Sequence, residues 1–184
     1  MITPQISIIL PTFNSEQYLK DCLSSVQRQT YANFEVVIVN DASTDDSLNI
    51  IRTFLESDKR FKLINLRKNV GVSEARNIAL KHVSGDYVIF LDSDDILLEE
   101  YLNKMLTIAL AEQATIAVSN YWLLFDSGEL SKPSVFTEDL KQTDSVDFIK
   151  TIFSLKTNLH VVKGGYLCGK MDSKWHGSGQ KSKI

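Results

Sequence analysis

The residues most able to do chemistry are three aspartates, Asp92, Asp94 and Asp95, which directly follow the apolar run Tyr87–Leu91. Such a run is typical of a strand buried on both faces. A buried strand that ends in several acids delivers their carboxylates together to one place. Hard divalent cations take oxygen ligands, and Mg²⁺ usually binds one or two protein carboxylates together with phosphates. The stretch predicts a cation site, with a solvated acidic turn between strand and helix as the alternative.

The composition excludes several classes of protein. A chain of 184 residues fits one domain with a continuous core. The net charge of −3, from 20 basic and 23 acidic residues, gives no electrostatic footprint for nucleic acid, so we expect no such partner. We find neither a signal-peptide pattern at the N-terminus nor an apolar run near the roughly 20 residues that span a bilayer. We therefore expect a cytoplasmic protein.

Apolar runs of strand length alternate with amphipathic helical patterns through the first 120 residues. Asn14 or Ser15 is expected to cap the first helix, and Ser43 with Asp46 to form a capping box at the second. Gly71 is expected to precede the third helix. The alternation predicts an α/β fold, a Rossmann-like, mainly parallel sheet with helices on both faces. The expected strands are Ile6–Leu10, Phe34–Val39, Phe61–Leu66, Tyr87–Leu91 and Thr115–Ser119.

Polar segments follow three of these strands, at the sheet edge where such folds bind ligands. Pro11 is expected to end the first strand, and the segment Pro11–Glu16 follows it. The segment Asp41–Asp45 follows the second strand, and the three aspartates follow the fourth. Three polar loops at one edge of the sheet predict a ligand site there.

The pattern weakens after about residue 122. Residues 122–130 suggest a hairpin with its turn at Asp126–Gly128, and apolar spacing over Val146–Phe153 suggests one more helix. Gly164–Lys170 spells GxxxxGK, but Met171 occupies the Ser/Thr position and too few residues follow for a phosphate-binding loop. Residues 172–184 carry little apolar content, and we expect them to be disordered.

Taken together, four ordered segments resemble the motifs of the family 2 glycosyltransferases, which have the GT-A fold. The resemblance implies a GT-A nucleotide-sugar-binding core over residues 1–120 and a partial acceptor-side region over residues 121–171. It also implies an inverting transfer of a sugar from a nucleotide-diphosphate-sugar, commonly a UDP-sugar, to a hydroxyl of a saccharide or lipid-linked saccharide. The segments are Ile8–Asn14, Val37–Asp45, Asn69–Asn77 and Phe90–Asp95.

The resemblance assigns the first two loops to the nucleoside. Pro11, Thr12 and Asn14 would surround the base, and Glu16 would approach the nucleoside. Asp41 would accept the uracil N3–H, a role that suits a carboxylate because it offers only acceptors. Each residue also has a purely structural interpretation, since Asp41 can form a turn or cap a helix, and Thr12 and Asn14 are ordinary turn and cap residues.

The resemblance assigns the later motifs to the diphosphate and its cation. Gly71 would let the backbone approach the nucleotide or adopt a positive φ. Arg76 would reach the nucleotide or the acidic loop, which is the segment after the fourth strand that carries Asp92, Asp94 and Asp95. The alternative is a solvated helix charge beside a carboxylate. Asp94 would bind Mn²⁺ or Mg²⁺, Asp92 would lie near the ribose or a metal-bound water, and Asp95 would add charge. The cation would act as a Lewis acid on the leaving diphosphate.

The catalytic residues stay unassigned at the level of sequence. Inverting transfer needs a general base, and the family's acidic pair downstream of its Asn-Lys element has no counterpart between Lys170 and Ile184, where Asp172 is the only acid. The chain therefore resembles a donor-binding part of the enzyme, shortened at its C-terminus. We expect a role in cell-surface polysaccharide synthesis, with peripheral association at the inner face of the membrane in a full-length form.

Two other interpretations belong to different classes of protein. A catalytically inactive nucleotide-sugar-binding fragment accounts for the missing base. A nucleotidyltransferase fits the fold class, but the loop after the first strand lacks the glycines and basic residues expected there. A phosphate-loop NTPase is excluded for the same lack of a glycine-rich loop.

Overall fold

The structure, a computed structural model, describes residues 5–114, 116–119, 122–125, 127–131 and 166–168. The helix expected over Val146–Phe153 and the tail expected over residues 172–184 lie outside the described residues. The division into a core, an acceptor-side region and a tail stays a prediction. Within the described ranges, no helix is both long enough and apolar enough to cross a membrane.

Strands and helices alternate along the described chain, and the five strands expected from the sequence are confirmed within one or two residues at each end. The strands are β1 (Ile6–Thr12), β2 (Phe34–Asn40), β3 (Phe61–Asn65), β4 (Tyr87–Phe90), β5 (Ile116–Val118), β6 (Leu123–Leu124), β7 (Leu130–Ser131) and β8 (Tyr166–Cys168). The helices are α1 (Glu16–Gln27), α2 (Ser47–Ser57), α3 (Val72–Leu80) and α4 (Tyr101–Ala111).

Six of the strands form one sheet in the order β3-β2-β1-β4-β8-β5. The pairs β1–β2, β1–β4 and β2–β3 are parallel, which confirms the mainly parallel sheet. β8 pairs antiparallel with both β4 and β5 and joins β5 to the rest of the sheet. This strand was not predicted, because three residues between Gly165 and Gly169 are too few to give a strand pattern of their own. The strand that precedes the three aspartates is therefore held on both sides.

The two faces of the sheet bury separate apolar clusters, as expected for a sheet covered on both sides. Alternate residues of β1 divide between them: Ile8 and Leu10 pack on the face that α1, α2 and α4 cover. Ile9 faces the other way and packs with Ala75 and Ala79 of α3. All seven residues of β1 and all seven of β2 are buried, so the apolar runs of the sequence mark the centre of the molecule.

Pro11 does not end the first strand, contrary to the prediction. It lies within β1 and pairs with Val39 of β2. Ile9 directs its carbonyl toward β4, where it accepts a hydrogen bond from the main-chain N–H of Leu91 (2.9 Å). Pro11 faces the same side two residues later, beyond the last β1–β4 pair at Phe90. Its missing N–H therefore removes no ladder bond.

The predicted helix caps are only partly right. α1 does begin after Ser15, but the hydroxyl of Ser15 makes no capping hydrogen bond. α2 begins after Asp46 rather than after Ser43, so the predicted capping box is wrong. The hydroxyl of Ser43 instead accepts the main-chain N–H of Asn14 in the neighbouring loop (3.1 Å). The Ser43 hydroxyl therefore makes a hydrogen bond between two loops, where a hydrogen bond within α2 was expected.

The hairpin expected over residues 122–130 is confirmed in its pairing. β6 and β7 are antiparallel, with Leu124 opposite Leu130. Gly128 adopts a φ of 81°, and its N–H donates to the carbonyl oxygen of Phe125 (2.8 Å). A glycine at this position supplies the positive φ that lets the chain reverse.

A buried carboxylate links several segments near the amino-terminal ends of the parallel strands. Glu35 of β2 is 3% exposed, and its Oε1 accepts hydrogen bonds from the hydroxyl of Ser7 (2.7 Å) and the main-chain N–H of Ser84 (2.6 Å). Its Oε2 accepts one from Nζ of Lys62 (2.6 Å). Burial alone would raise the pKa of Glu35, but these bonds outweigh it and lower the pKa from 4.5 to about 2. The ionised carboxylate of Glu35 therefore stabilises the folded protein.

Replacing Glu35 by glutamine should destabilise the protein at pH 7 by about 2 kcal/mol, a value reduced from the full linkage because Lys62 is half exposed. The pKa of Glu35 is lower in the folded than in the unfolded chain. Its stabilisation is therefore present above about pH 4.5 and is lost as the pH falls toward 2. Urea unfolding of the parent and of Glu35→Gln across this range measures the difference.

Glu56→Gln is the matched control, because Glu56 lies exposed on α2. The control should leave the free energy of unfolding within about 0.5 kcal/mol of the parent at each pH. A constant difference between Glu35→Gln and the parent from pH 7 to pH 2.5 would contradict the role assigned to the charge.

Candidate functional site

The loops that follow β1, β2, β3 and β4 meet at the carboxyl edge of the sheet. These four strands are parallel neighbours, so their ends face one side. The predicted site residues lie at the end of β1, on these loops, at the start of α1 or in the first two turns of α3. The parallel order therefore brings them to the same edge, which is where α/β sheets bind ligands.

Asn14 connects the first loop to the second. Its Oδ1 accepts hydrogen bonds from the main-chain N–H of Thr44 (2.8 Å) and from the hydroxyl of Thr44 (3.3 Å). Its own N–H donates to the hydroxyl of Ser43. Asn14 adopts a φ of 47°, a left-handed conformation that asparagine tolerates better than most residues. The side chain predicted to surround a base thus already has a structural role, and base contact stays a prediction.

Glu16 extends the same connection. Its Oε2 accepts the main-chain N–H of Asp46 (2.7 Å), and its own N–H donates to Oδ2 of Asp45 (3.0 Å). The main-chain N–H of Ser15 donates to the hydroxyl of Ser47 (2.9 Å). Partial burial opposes ionisation of Asp45, but bonds from Ser47 and Glu16 prevail and lower its pKa. The predicted approach of Glu16 to the nucleoside stays untested.

Asp41 connects the second loop to the start of α3. It is 3% exposed, and its two oxygens accept the main-chain N–H groups of Val70 (2.8 Å) and Gly71 (2.9 Å). The side chain of Asn69 donates to the carbonyl of Asp41 (3.3 Å). Ala42, the next residue, has a φ of 59°, a strained conformation for alanine that turns the chain at this point. Asp41 thus fixes the position of the loop after β2 relative to residues 69–71, which precede α3.

Gly71 has the positive φ that was predicted as one of its two uses. Its φ is 86°, which L side chains rarely adopt, and a Cβ added here would meet no atom within 4 Å. The open space beside Gly71 leaves its backbone accessible to a ligand. The glycine is therefore explained by backbone conformation alone, and close approach of a nucleotide stays a prediction.

Pro11 and Thr12 are both buried at the end of β1. Thr12 is 1% exposed, and among the described residues its hydroxyl oxygen has no hydrogen-bond partner. Its main-chain carbonyl accepts the N–H of Asp41 (2.8 Å). A nucleotide would reach the hydroxyl only after a local rearrangement, so the predicted contacts of these two residues stay untested.

The three aspartates predicted to form a cation site do come together. One carboxylate oxygen from each of Asp92, Asp94 and Asp95 lies within 4.8 Å of the others. The main-chain N–H of Asp95 donates to the carbonyl of Asp92 (3.1 Å), which closes the turn that gathers them. Asp94 is exposed, and the other two are half buried. Grouped carboxylate oxygens that remain open to solvent fit a hard divalent cation.

Arg76 reaches the acidic loop, one of its two predicted destinations. Its Nη2 donates to Oδ1 of Asp92 at 2.5 Å, and its guanidinium lies 5.9 Å from the centre of the Phe90 ring. Its Nε is buried without a hydrogen-bond partner among the described residues. Because a carboxylate has about four acceptor positions, this ion pair leaves Asp92 able to bind a second group.

Polar groups of α1 and of the residues just after it contact the other side of the acidic loop, and these contacts were not predicted from the sequence. The signal was present, because Ser25 and Gln29 are polar residues at helical spacing on an otherwise apolar face. The contacts run from Sγ of Cys22 to the carbonyl of Asp92 (3.5 Å), from the N–H of Leu97 to the hydroxyl of Ser25 (3.0 Å), and from Nε2 of Gln29 to the carbonyl of Leu98 (2.7 Å).

Cys22 remains a neutral thiol in this position. Burial raises the pKa of the Cys22 thiol far above its usual value, and the nearby charges of Asp95, Asp94 and Asp92 raise it further. A neutral thiol keeps the hydrogen with which it contacts the carbonyl of Asp92. The residue therefore supports the acidic loop and is not a nucleophile.

The match to known proteins agrees with this geometry. The model of the glycosyl transferase family 2 matches residues 7–172. The chain belongs to this family. The glycosyltransferase GlyA of Streptococcus pneumoniae is 42% identical over 127 residues, which cover 69% of this chain and 18% of that protein. The glucosyltransferase WfgD of Escherichia coli, which its name describes as acting on α-D-GlcNAc-diphosphoundecaprenol with UDP-Glc, is 35% identical over 69% of this chain and 49% of its own length.

A solved family member confirms the GT-A fold. TarS of S. aureus, residues 1–349 in complex with UDP-GlcNAc, has a TM-score of 0.58 and 35% sequence identity, covering 61% of this chain and 33% of that one. The chain spans half or less of the length of the first curated relatives, at 18%, 48%, 45% and 50% of each. It therefore corresponds to a part of each of these relatives.

Asp41→Asn should destabilise the protein by about 1–3 kcal/mol without any ligand, because the new amide group would face a main-chain N–H of residue 70 or 71. Urea unfolding measures the loss, and hydrogen exchange should show faster exchange at residues 70–76. Asp21→Asn, an exposed site on α1, is the control with the same change of charge. Unchanged stability and exchange in Asp41→Asn would contradict the structural role of the carboxylate.

Proposed function

We propose that this chain binds a nucleotide-diphosphate-sugar, specifically a UDP-sugar, at the carboxyl edge of its sheet. The observation that carries the proposal is the cluster of three aspartate carboxylates, with oxygens within 4.8 Å of one another, on the loop after β4. The neighbouring loops present the open backbone of Gly71 beside the carboxylate of Asp41. An acidic protein needs a cation or local dipoles to hold a diphosphate, and this cluster offers the site for one.

Asp94 and Asp92 are the residues we propose to hold Mn²⁺ or Mg²⁺, with Asp95 adding charge. Asp94 is the most exposed of the three and so the most accessible to an incoming cation and diphosphate. The bound cation would supply Lewis-acid neutralisation of the leaving diphosphate. The ion pair with Arg76 would keep the carboxylate of Asp92 oriented in the loop while the site is open.

The uridine preference rests on Asp41. Both of its oxygens already accept one main-chain hydrogen bond, which fixes the plane of the carboxylate. Each oxygen retains a further acceptor position that matches the donor uracil N3–H, and a local rearrangement must open it to the base because Asp41 is 3% exposed. Asn14 and Glu16 would act mainly by holding the first two loops together, so that Pro11, Thr12 and Asp41 keep one arrangement around the base.

For the complete protein we propose transfer of the sugar, with inversion, to a hydroxyl of a saccharide or lipid-linked saccharide. The name of the relative WfgD, which includes a diphosphoundecaprenol-linked acceptor, supports an acceptor of this class. The setting would be cell-surface polysaccharide synthesis at the cytoplasmic face of the membrane. The general base stays unassigned, and Asp172, the only acid after Lys170, lies outside the described residues.

Calorimetric titration with UDP, with and without Mn²⁺, tests the donor site. We expect the parent to bind UDP more tightly when Mn²⁺ is present, and Asp94→Asn to lose about tenfold or more of that Mn²⁺-dependent affinity. Asp86→Asn is the matched control, because Asp86 precedes the same strand at its opposite end, where it accepts a hydrogen bond from the main-chain N–H of Gln5 (2.9 Å). Its UDP affinity should equal that of the parent.

CDP provides the control for the base, since cytosine N3 carries no hydrogen and cannot donate to Asp41. Equal affinity for UDP and CDP would contradict the assignment of Asp41. Failure of the folded parent to bind UDP under either condition would contradict the proposed function itself. UDP-sugar binding without transfer to any saccharide acceptor would assign this chain the role of a nucleotide-sugar-binding module.

A further inference from the structure

One hydroxyl–hydroxyl contact joins the loop after β1, which is predicted to contact the nucleoside, to the acidic loop after β4. Ser93 lies between Asp92 and Asp94, and its Oγ is 2.7 Å from Oγ of Ser15. Ser15 stands at the end of the first loop, where its main-chain N–H donates to the hydroxyl of Ser47. The side chain of Ser15 therefore lies at the junction of the three loops that carry the predicted site.

The direction of this contact follows from the number of hydrogens. The hydroxyl of Ser15 also lies 3.2 Å from the carbonyl oxygen of Phe13, which can only accept. Ser15 has one hydroxyl hydrogen, so both contacts are satisfied when Ser15 donates to Phe13 and Ser93 donates to Ser15. The Ser93 hydroxyl is then the donor to Ser15. Two successive hydrogen bonds therefore connect the acidic loop, through Ser15, to the carbonyl of Phe13 in the first loop.

A capping function does not explain Ser15. It occupies the N-cap position of α1, yet its hydroxyl bonds none of the helix's own N–H groups. Hydroxyls at this position usually accept a hydrogen bond from the main-chain N–H of the second or third residue of the helix. Here the hydroxyl is directed to Ser93 instead. The side chain thus serves the loop that carries the carboxylates rather than the helix it precedes.

We propose that Ser15 is a positioning residue that couples nucleotide binding at the first two loops to cation binding at the acidic loop. The inference rests on the proposed donor site and adds a residue that contacts neither ligand. Asn14 and Glu16 tie the first loop to the second, and Ser15 ties both to Ser93. Ordering the first two loops around a nucleoside therefore fixes Ser93, and with it the separation of Asp92 and Asp94. By thermodynamic reciprocity, the cation strengthens nucleotide binding by the same factor.

The test measures this coupling factor directly. UDP is titrated calorimetrically with and without saturating Mn²⁺, and Mn²⁺ alone is titrated by electron paramagnetic resonance. The proteins are the parent, Ser15→Ala, Ser93→Ala, the double variant and Ser15→Thr. Ser24→Ala is the matched control, because the Ser24 hydroxyl bonds the carbonyl of Lys20 within α1 (2.7 Å). Thermal unfolding of each variant confirms that it is folded.

We expect Ser15→Ala to reduce the Mn²⁺-dependent gain in UDP affinity about fivefold, the size of one hydrogen bond, and to leave metal-free UDP affinity within about twofold. Ser93→Ala should do the same, and the double variant should be no worse than either single variant, because both remove one contact. Ser15→Thr, which keeps the hydroxyl, should restore the coupling. Ser24→Ala should match the parent.

Three results would overturn the inference: an unchanged coupling factor in Ser15→Ala, losses that add in the double variant, or an equal loss in Ser24→Ala. If Ser15→Ala does not fold, Ser93→Ala decides the question by the same criterion. A parent that binds UDP with Mn²⁺, while both serine variants retain full coupling, defeats this inference alone. A parent that binds no UDP under either condition defeats the proposed function as well.

Discussion

Several main-chain N–H groups in the loops beyond the strands donate hydrogen bonds to side-chain oxygens of adjacent loops, because no neighbouring strand offers them a partner. Asp41 accepts two of them, from residues 70 and 71, and Asn14 and Glu16 accept one each from the loop after β2. Buried or half-buried main-chain donors need such partners, so these contacts fix the relative positions of the loops. The proposed nucleoside site depends on that arrangement, because the residues predicted to contact the nucleoside lie on the first two of these loops or at the strand and helix ends beside them.

The sequence predicted the fold well wherever apolar periodicity was strong. The apolar runs of β1, β2 and β4 have buried residues on both faces of the sheet. An uninterrupted apolar run of this length indicates such a strand without reference to the rest of the chain. Pro11 was misjudged because its effect depends on where β4 stops pairing, which is a property of two strands. β8 was missed because its place in the sheet is set by β4 and β5, not by its own three residues. Pairing between distant segments leaves little trace in local sequence.

The site was predicted in its residues but not in their contacts. The clustering of Asp92, Asp94 and Asp95 followed from their position after a buried strand. The partners of Asn14 and Glu16 did not, because a polar side chain in a loop is equally suited to a ligand or to a neighbouring main chain. The support from α1 and the residues just after it could have been anticipated, since Ser25 and Gln29 are polar residues at helical spacing on an apolar face. Both prove almost completely buried, and the loop between β4 and α4 supplies one hydrogen-bond partner to each.

The most direct test of the proposed donor site is a crystal structure of the protein with UDP and Mn²⁺, using anomalous scattering to locate the manganese. We expect one anomalous peak between the diphosphate and the carboxylates of Asp94 and Asp92, with the uracil N3–H directed at Asp41. We also expect Asp41 to keep its bonds to the main chain of residues 70 and 71. Manganese bound elsewhere, or UDP bound with its base away from Asp41, would contradict the proposed donor site.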